Sequence, residues 1–168
     1  FRLVRVFAGV PITTDVIDDS EKWGVPRASV EEVYNLILED LTKANSMLQL
    51  RSAMTAENLG RATKGAAQAM LLKVNLYMAS PYWNKQLSQD PATYFAAAKQ
   101  WGDSIIASGA YKLTPNYFDN FMVENQGSSE NIWCVFYDAS FSKGMQFHMM
   151  TLHYASQNSY GLKNQPWN

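Results

Sequence analysis

Cysteine occurs once, at Cys134, in 168 residues, so no internal disulfide can hold the fold. Charge is scarce too: charged side chains make up 17% of the chain, the net charge is −1, and no Lys/Arg cluster appears. That balance removes the electrostatic attraction that nucleic acid or anionic lipid would need. No run of about 18 apolar residues is available to cross a bilayer as a helix. The sequence contains no GxSxG, no HExxH and no phosphate-binding loop. His148 and His153 do not have the i, i+4 spacing that puts two metal ligands on one helical face. Asp15, Asp18, Asp19 and Glu21 lack the alternating acidic spacing and glycine of a calcium loop and read as solvated loop carboxylates. Cys134 sits in an apolar strand-like pattern, as a small core residue would, and not as a nucleophile. These absences point away from an enzyme and imply neither a metal nor a cofactor. What is present is a globular composition, 47% hydrophobic, with more aromatic rings than a core needs. Five Trp and nine Tyr predict that some rings lie on the surface.

Phe1 to Ala8 reads as the end of a helix, closed by Gly9 and followed by Pro11. Because the apolar pattern of Phe1, Leu3, Val4, Val6 and Phe7 is already under way at the first residue, the expectation is a segment of a longer protein. A loop follows over "PITTDVIDDSEKWGVPRA". At "SVEEVYNLILEDL" Ser29 precedes an apolar run and Glu32 stands three residues later, which is the capping-box arrangement of a helix start. Val30, Val33, Tyr34, Ile37, Leu41, Ala44 and Leu48 then recur at steps of three and four, so this helix is amphipathic.

The next segment, "GRATKGAAQAMLLKVNLYM" from Gly60 to Met78, is apolar around most of its circumference. Lys64, Gln68 and Asn75 fall on one narrow polar stripe and Lys73 points elsewhere. Such a helix needs neighbours on more than one side, and the small residues Gly65, Ala66, Ala67 and Ala69 permit their close approach. Thr63 is the expected N-cap, and Pro81 ends the helix near Ala79. A third helix is predicted from Thr93 to Ser108, with Tyr94, Ala98, Trp101 and Ile105 on one face, Gly102 as an interruption and Gly109 as a left-handed cap. The three helix starts recur at roughly the period of tetratricopeptide helix-turn-helix units. In a stack of such hairpins the middle helix is covered on both sides, which accounts for its apolarity. From Ala110 the texture changes: "YKLTPNYFDNF" is short, aromatic and proline-broken, and "NIWCVFYD" (Asn131 to Asp138) is a β-type run. The last thirty residues read as long loops.

The stretches "LVRVFAGVPI", "RASVEEVYNLILEDLTKA", "GRATKGAAQAMLLKVNLYMASP", "YFAAAKQWGDSIIASGAYKL" and "NYFDNF" followed by "SSENIW" together resemble the SusD/RagB family, the cell-surface nutrient-binding lipoproteins of Bacteroidetes. The resemblance runs in order from residue 1 to about 133. It implies a mainly α fold: tetratricopeptide-like helical hairpins (an α-α superhelix) over 1–110, then a loop-rich region with short strands, carrying the ligand site, over 111–168. It implies binding of an oligosaccharide at the outer-membrane surface and delivery to a SusC-type TonB-dependent transporter. By the same resemblance the lipid anchor would lie outside these residues. The alternatives are an oligopeptide-binding member of the family, or a helical-repeat scaffold whose ligand is another protein.

Sugar binding needs flat apolar faces for the C–H surfaces of pyranose rings, beside amides and carboxylates that pair with hydroxyls. Two stretches provide both. One is "SPYWNKQ", with Tyr82, Trp83 and Asn84; the other is "HYASQNSYGLKNQPWN", with Tyr154, Gln157, Asn158, Tyr160, Asn164 and Trp167.

Overall fold

The computed structural model describes residues 1–16, 24–55, 58 and 60–136. One compact unit runs from Phe1 to Cys134 and a second from Val135 to Asn168; every element below belongs to the first.

Helix α1 (Arg2–Phe7) is short and buries only Val4. It ends at Ala8, whose φ of 59° is strained for a residue with a Cβ. Gly9, expected to close this helix, therefore has another role. A Cβ built on it would lie 2.2 Å from the Ala28 carbonyl oxygen, so glycine is required because a second stretch of backbone passes against it. The crossing is tied by the Ala28 amide donating to Val10 O (3.1 Å) and by Arg27, whose guanidinium donates to the Gly9 and Phe7 carbonyls. The neighbour is backbone and cannot rotate aside. Gly9→Ala is therefore expected to cost about 1–3 kcal/mol in a thermal or denaturant melt; an unchanged midpoint would show that the chain around Ala28 yields.

Helix α2 (Val30–Met47) begins at the predicted cap. The Ser29 hydroxyl accepts from the Glu32 amide (3.2 Å), and the Glu32 carboxylate accepts from the Ser29 amide (2.7 Å). Its inward face buries Val30, Val33 and Tyr34 and half-buries Ile37 and Leu41.

Helix α3 (Lys64–Ala79) is the middle layer, packed against α2 on one side and more extensively against α5 (Pro91–Ala107) on the other. That sandwich explains why α3 has almost no amphipathic asymmetry whereas α2 has a pronounced one. Gly65, Ala66, Ala67, Leu71, Val74, Met78 and Ala79 are buried, and Ala69 is half-buried. Solvent reaches a narrow edge marked by Lys73 and Leu76. Asn75, placed by periodicity on the polar stripe, is buried instead. Its amide is satisfied within its own helix, Nδ2 donating to Leu71 O at 2.8 Å, so burial leaves this donor group paired.

Pro81 ends α3 and opens α4 (Pro81–Asn84), a single turn. Helix α5 starts two residues before the predicted Thr93, because Asp90 caps it by accepting from the Ala92 amide (2.7 Å) and Pro91 fits the first helical position. Gly102, expected to interrupt the helix, lies within a continuous α5 where it meets α3: an added Cβ would lie 3.1 Å from Leu72 Cδ1. Gly109, with φ 61°, follows the helix as expected.

The core gathers Val4, Val30, Val33, Tyr34, Val74, Met78, Ala79, Trp83 and Tyr94. Tyr34 is fully buried and its hydroxyl has no hydrogen-bond partner among the described residues. Burial pushes its pKa up to about 12, so it stays neutral.

The β-type run Asn131–Asp138 forms no strand over its described residues 131–136. A strand needs a neighbouring strand to take its amides and carbonyls. Here the Asn131 carbonyl accepts from Arg51 instead, and the Trp133 indole donates to Gly60 O.

Candidate functional site

After α5 the chain makes an Ω-type excursion from Lys112 to Ser129, its ends joined by the Lys112 amide donating to Ser129 O (3.0 Å) and the Ser129 hydroxyl donating to Lys112 O (3.1 Å). A second set of bonds fills the loop. Glu130 Oε2 accepts from the Thr114 amide and the Thr114 hydroxyl, each at 2.9 Å. Asn120 Nδ2 donates to Thr114 Oγ1, the Ser128 hydroxyl donates to Asn120 Oδ1, and Asn131 Nδ2 donates to Ser128 Oγ. Donors from Asn120 and Thr114 hold the Glu130 carboxyl below its ordinary value.

The loop is anchored to the connection between α2 and α3. Arg51, in a 3₁₀ turn (Arg51–Ala53), donates from Nη1 to Asn131 O (2.5 Å) and from Nη2 to Gly127 O (2.6 Å) and Ser128 O (2.9 Å). Its guanidinium carbon lies 5.4 Å from the centre of the Tyr111 ring. Tyr111 in turn lies over Gly65, where an added Cβ would sit 2.1 Å from the phenol oxygen, and its hydroxyl lies 3.4 Å from Thr63 Oγ1. Trp133 Nε1 donates to Gly60 O at 3.0 Å.

At the tip of this loop, the 3₁₀ turn Tyr117–Phe121 is capped by Asn116, whose side chain accepts from the Phe118 amide at 3.2 Å. It leaves three rings in water: Tyr117 70% exposed, Phe118 71% and Phe121 68%. The Tyr117 and Phe121 ring centres are 5.2 Å apart and tilted at 59°, and Phe118 meets Tyr117 nearly edge-on at 6.1 Å. "NYFDNF" carries the signal that could have marked these residues, an asparagine cap ahead of aromatic side chains with no apolar period to bury them.

Of the residues expected to contact ligand, Tyr82 is 68% exposed and Trp83 only 7%. The α4 turn directs Trp83 into the core, edge-on to Tyr34 at 6.0 Å, while Tyr82 packs edge-on against Trp83 at 4.9 Å. Trp83 thus offers no free ring face in this arrangement. Asn84 is half-buried and donates to Gln89 O at 2.9 Å. Tyr154, Gln157, Asn158, Tyr160, Asn164 and Trp167, like His148 and His153, lie outside the described residues.

Layered α-helices carry a tied loop that holds three rings in water; among the described residues no helix is long and apolar enough to cross a membrane. Residues 1–76 match a SusD-like family described as "starch-binding associating with outer membrane". The crystal structure of a SusD-like protein from Bacteroides fragilis NCTC 9343 is 29% identical, with a TM-score of 0.63, and the match covers 78% of this chain and 23% of that one. A second structure, solved with xylogluco-oligosaccharide, shares the fold at 22% identity and a TM-score of 0.65, over 84% of this chain and 28% of that one. Over residues 1–76 in sequence, and in fold over most of its length, the chain is similar to SusD-like proteins. It spans about a quarter of the length of the solved structures it matches. No curated protein matches it.

Proposed function

We propose that the protein binds oligosaccharide at the outer-membrane surface and delivers it to a SusC-type TonB-dependent transporter, held there by a lipid anchor outside these residues. The observation that carries this reading is the match of residues 1–76 to a family described as starch-binding and associating with the outer membrane. The fold shared with a structure solved with xylogluco-oligosaccharide agrees with it. In this reading the protein is a binder and not a catalyst. Residues 1–110 act as scaffold and residues 111–168 open the ligand-bearing region. Its expected contacts are Tyr154, Gln157, Asn158, Tyr160, Asn164 and Trp167, with Tyr82 and Asn84 at the α4 turn.

The test is calorimetric titration of the full-length protein with maltoheptaose and with the xylogluco-oligosaccharide. Saturable binding is expected, weakened about tenfold or more in Trp167→Ala at an unchanged melting temperature. Failure of the wild type to bind any glycan across an array would overturn the reading; equal affinity in Trp167→Ala would remove that residue from the contact set.

A further inference from the structure

We draw no further inference here: the strongest candidate, the exposed apolar patch that Tyr117, Phe118 and Phe121 form at the tip of the 112–129 loop, carries nothing further, because nothing in the structure shows what covers it.

Discussion

Trp83→Ala is expected to lower the unfolding free energy by about 3–5 kcal/mol, the largest single effect we anticipate in the helical unit. The ring is 7% exposed and sits in the cluster where α2, α3, α4 and α5 meet, edge-on to the fully buried Tyr34. Removing it strips about ten heavy atoms of contact and leaves a cavity that neighbours on two helices cannot both fill, so the transfer and cavity terms add. The Tyr34 ring would also lose an aromatic neighbour. Chemical denaturation monitored by circular dichroism measures the loss, and glycan affinity, measured well below the melting point, should stay near wild type. The opposite pattern, intact stability with lost affinity, would return Trp83 to the ligand-contact set. Tyr82→Ala is the internal control: its side chain is mostly in solvent and its removal should cost far less.

How far the sequence reaches follows from how local each determinant is. The α2 start was legible because Ser29 and Glu32 stand one turn apart and satisfy each other's backbone amides. The ends of α3 and α5 were legible because Pro81 and Gly109 act on their own backbone. The layered arrangement was legible from α3, whose lack of a broad polar face demands cover from two sides. Other features depend on residues distant in sequence. Gly9 looks like a helix stop, and only the passage of Ala28 shows what its missing Cβ allows. Trp83 stands among polar neighbours in "SPYWNKQ", and it takes the α4 turn to carry it beneath Tyr34. Asn75 reads as polar, yet its bond to Leu71 lets it face inward. Most distant of all, the loop after α5 is fastened by Arg51 across 80 residues of sequence, which no period or motif could indicate.

Arg51→Ala is the second large effect, expected at about 2–4 kcal/mol and concentrated in residues 111–133. The guanidinium gathers three carbonyls, from Gly127, Ser128 and Asn131, with the charge-assisted bonds that stabilise a half-buried site most. Without it those oxygens must turn to water, and Tyr111 loses the cation near its ring. Arg51→Lys should recover only part of the loss, because a single ammonium cannot span acceptors arranged for a planar fork. Hydrogen exchange should therefore quicken in 111–133 while α2 and α3 keep their protection, with Trp133 fluorescence moving to the red as its bond to Gly60 weakens. Acidification should act on the same loop through Glu130. Its carboxyl is held below the ordinary value of 4.5 by donors from Asn120 and Thr114, so the stabilisation is complete above that pH and fades as pH falls through the lowered value. Glu130→Gln should remove this acid-dependent part of the opening while Arg51→Ala leaves it in place. Uniform loss of protection across all helices in Arg51→Ala would show that the loop and the helical layers unfold as one body, and that Arg51 does more than fasten a loop.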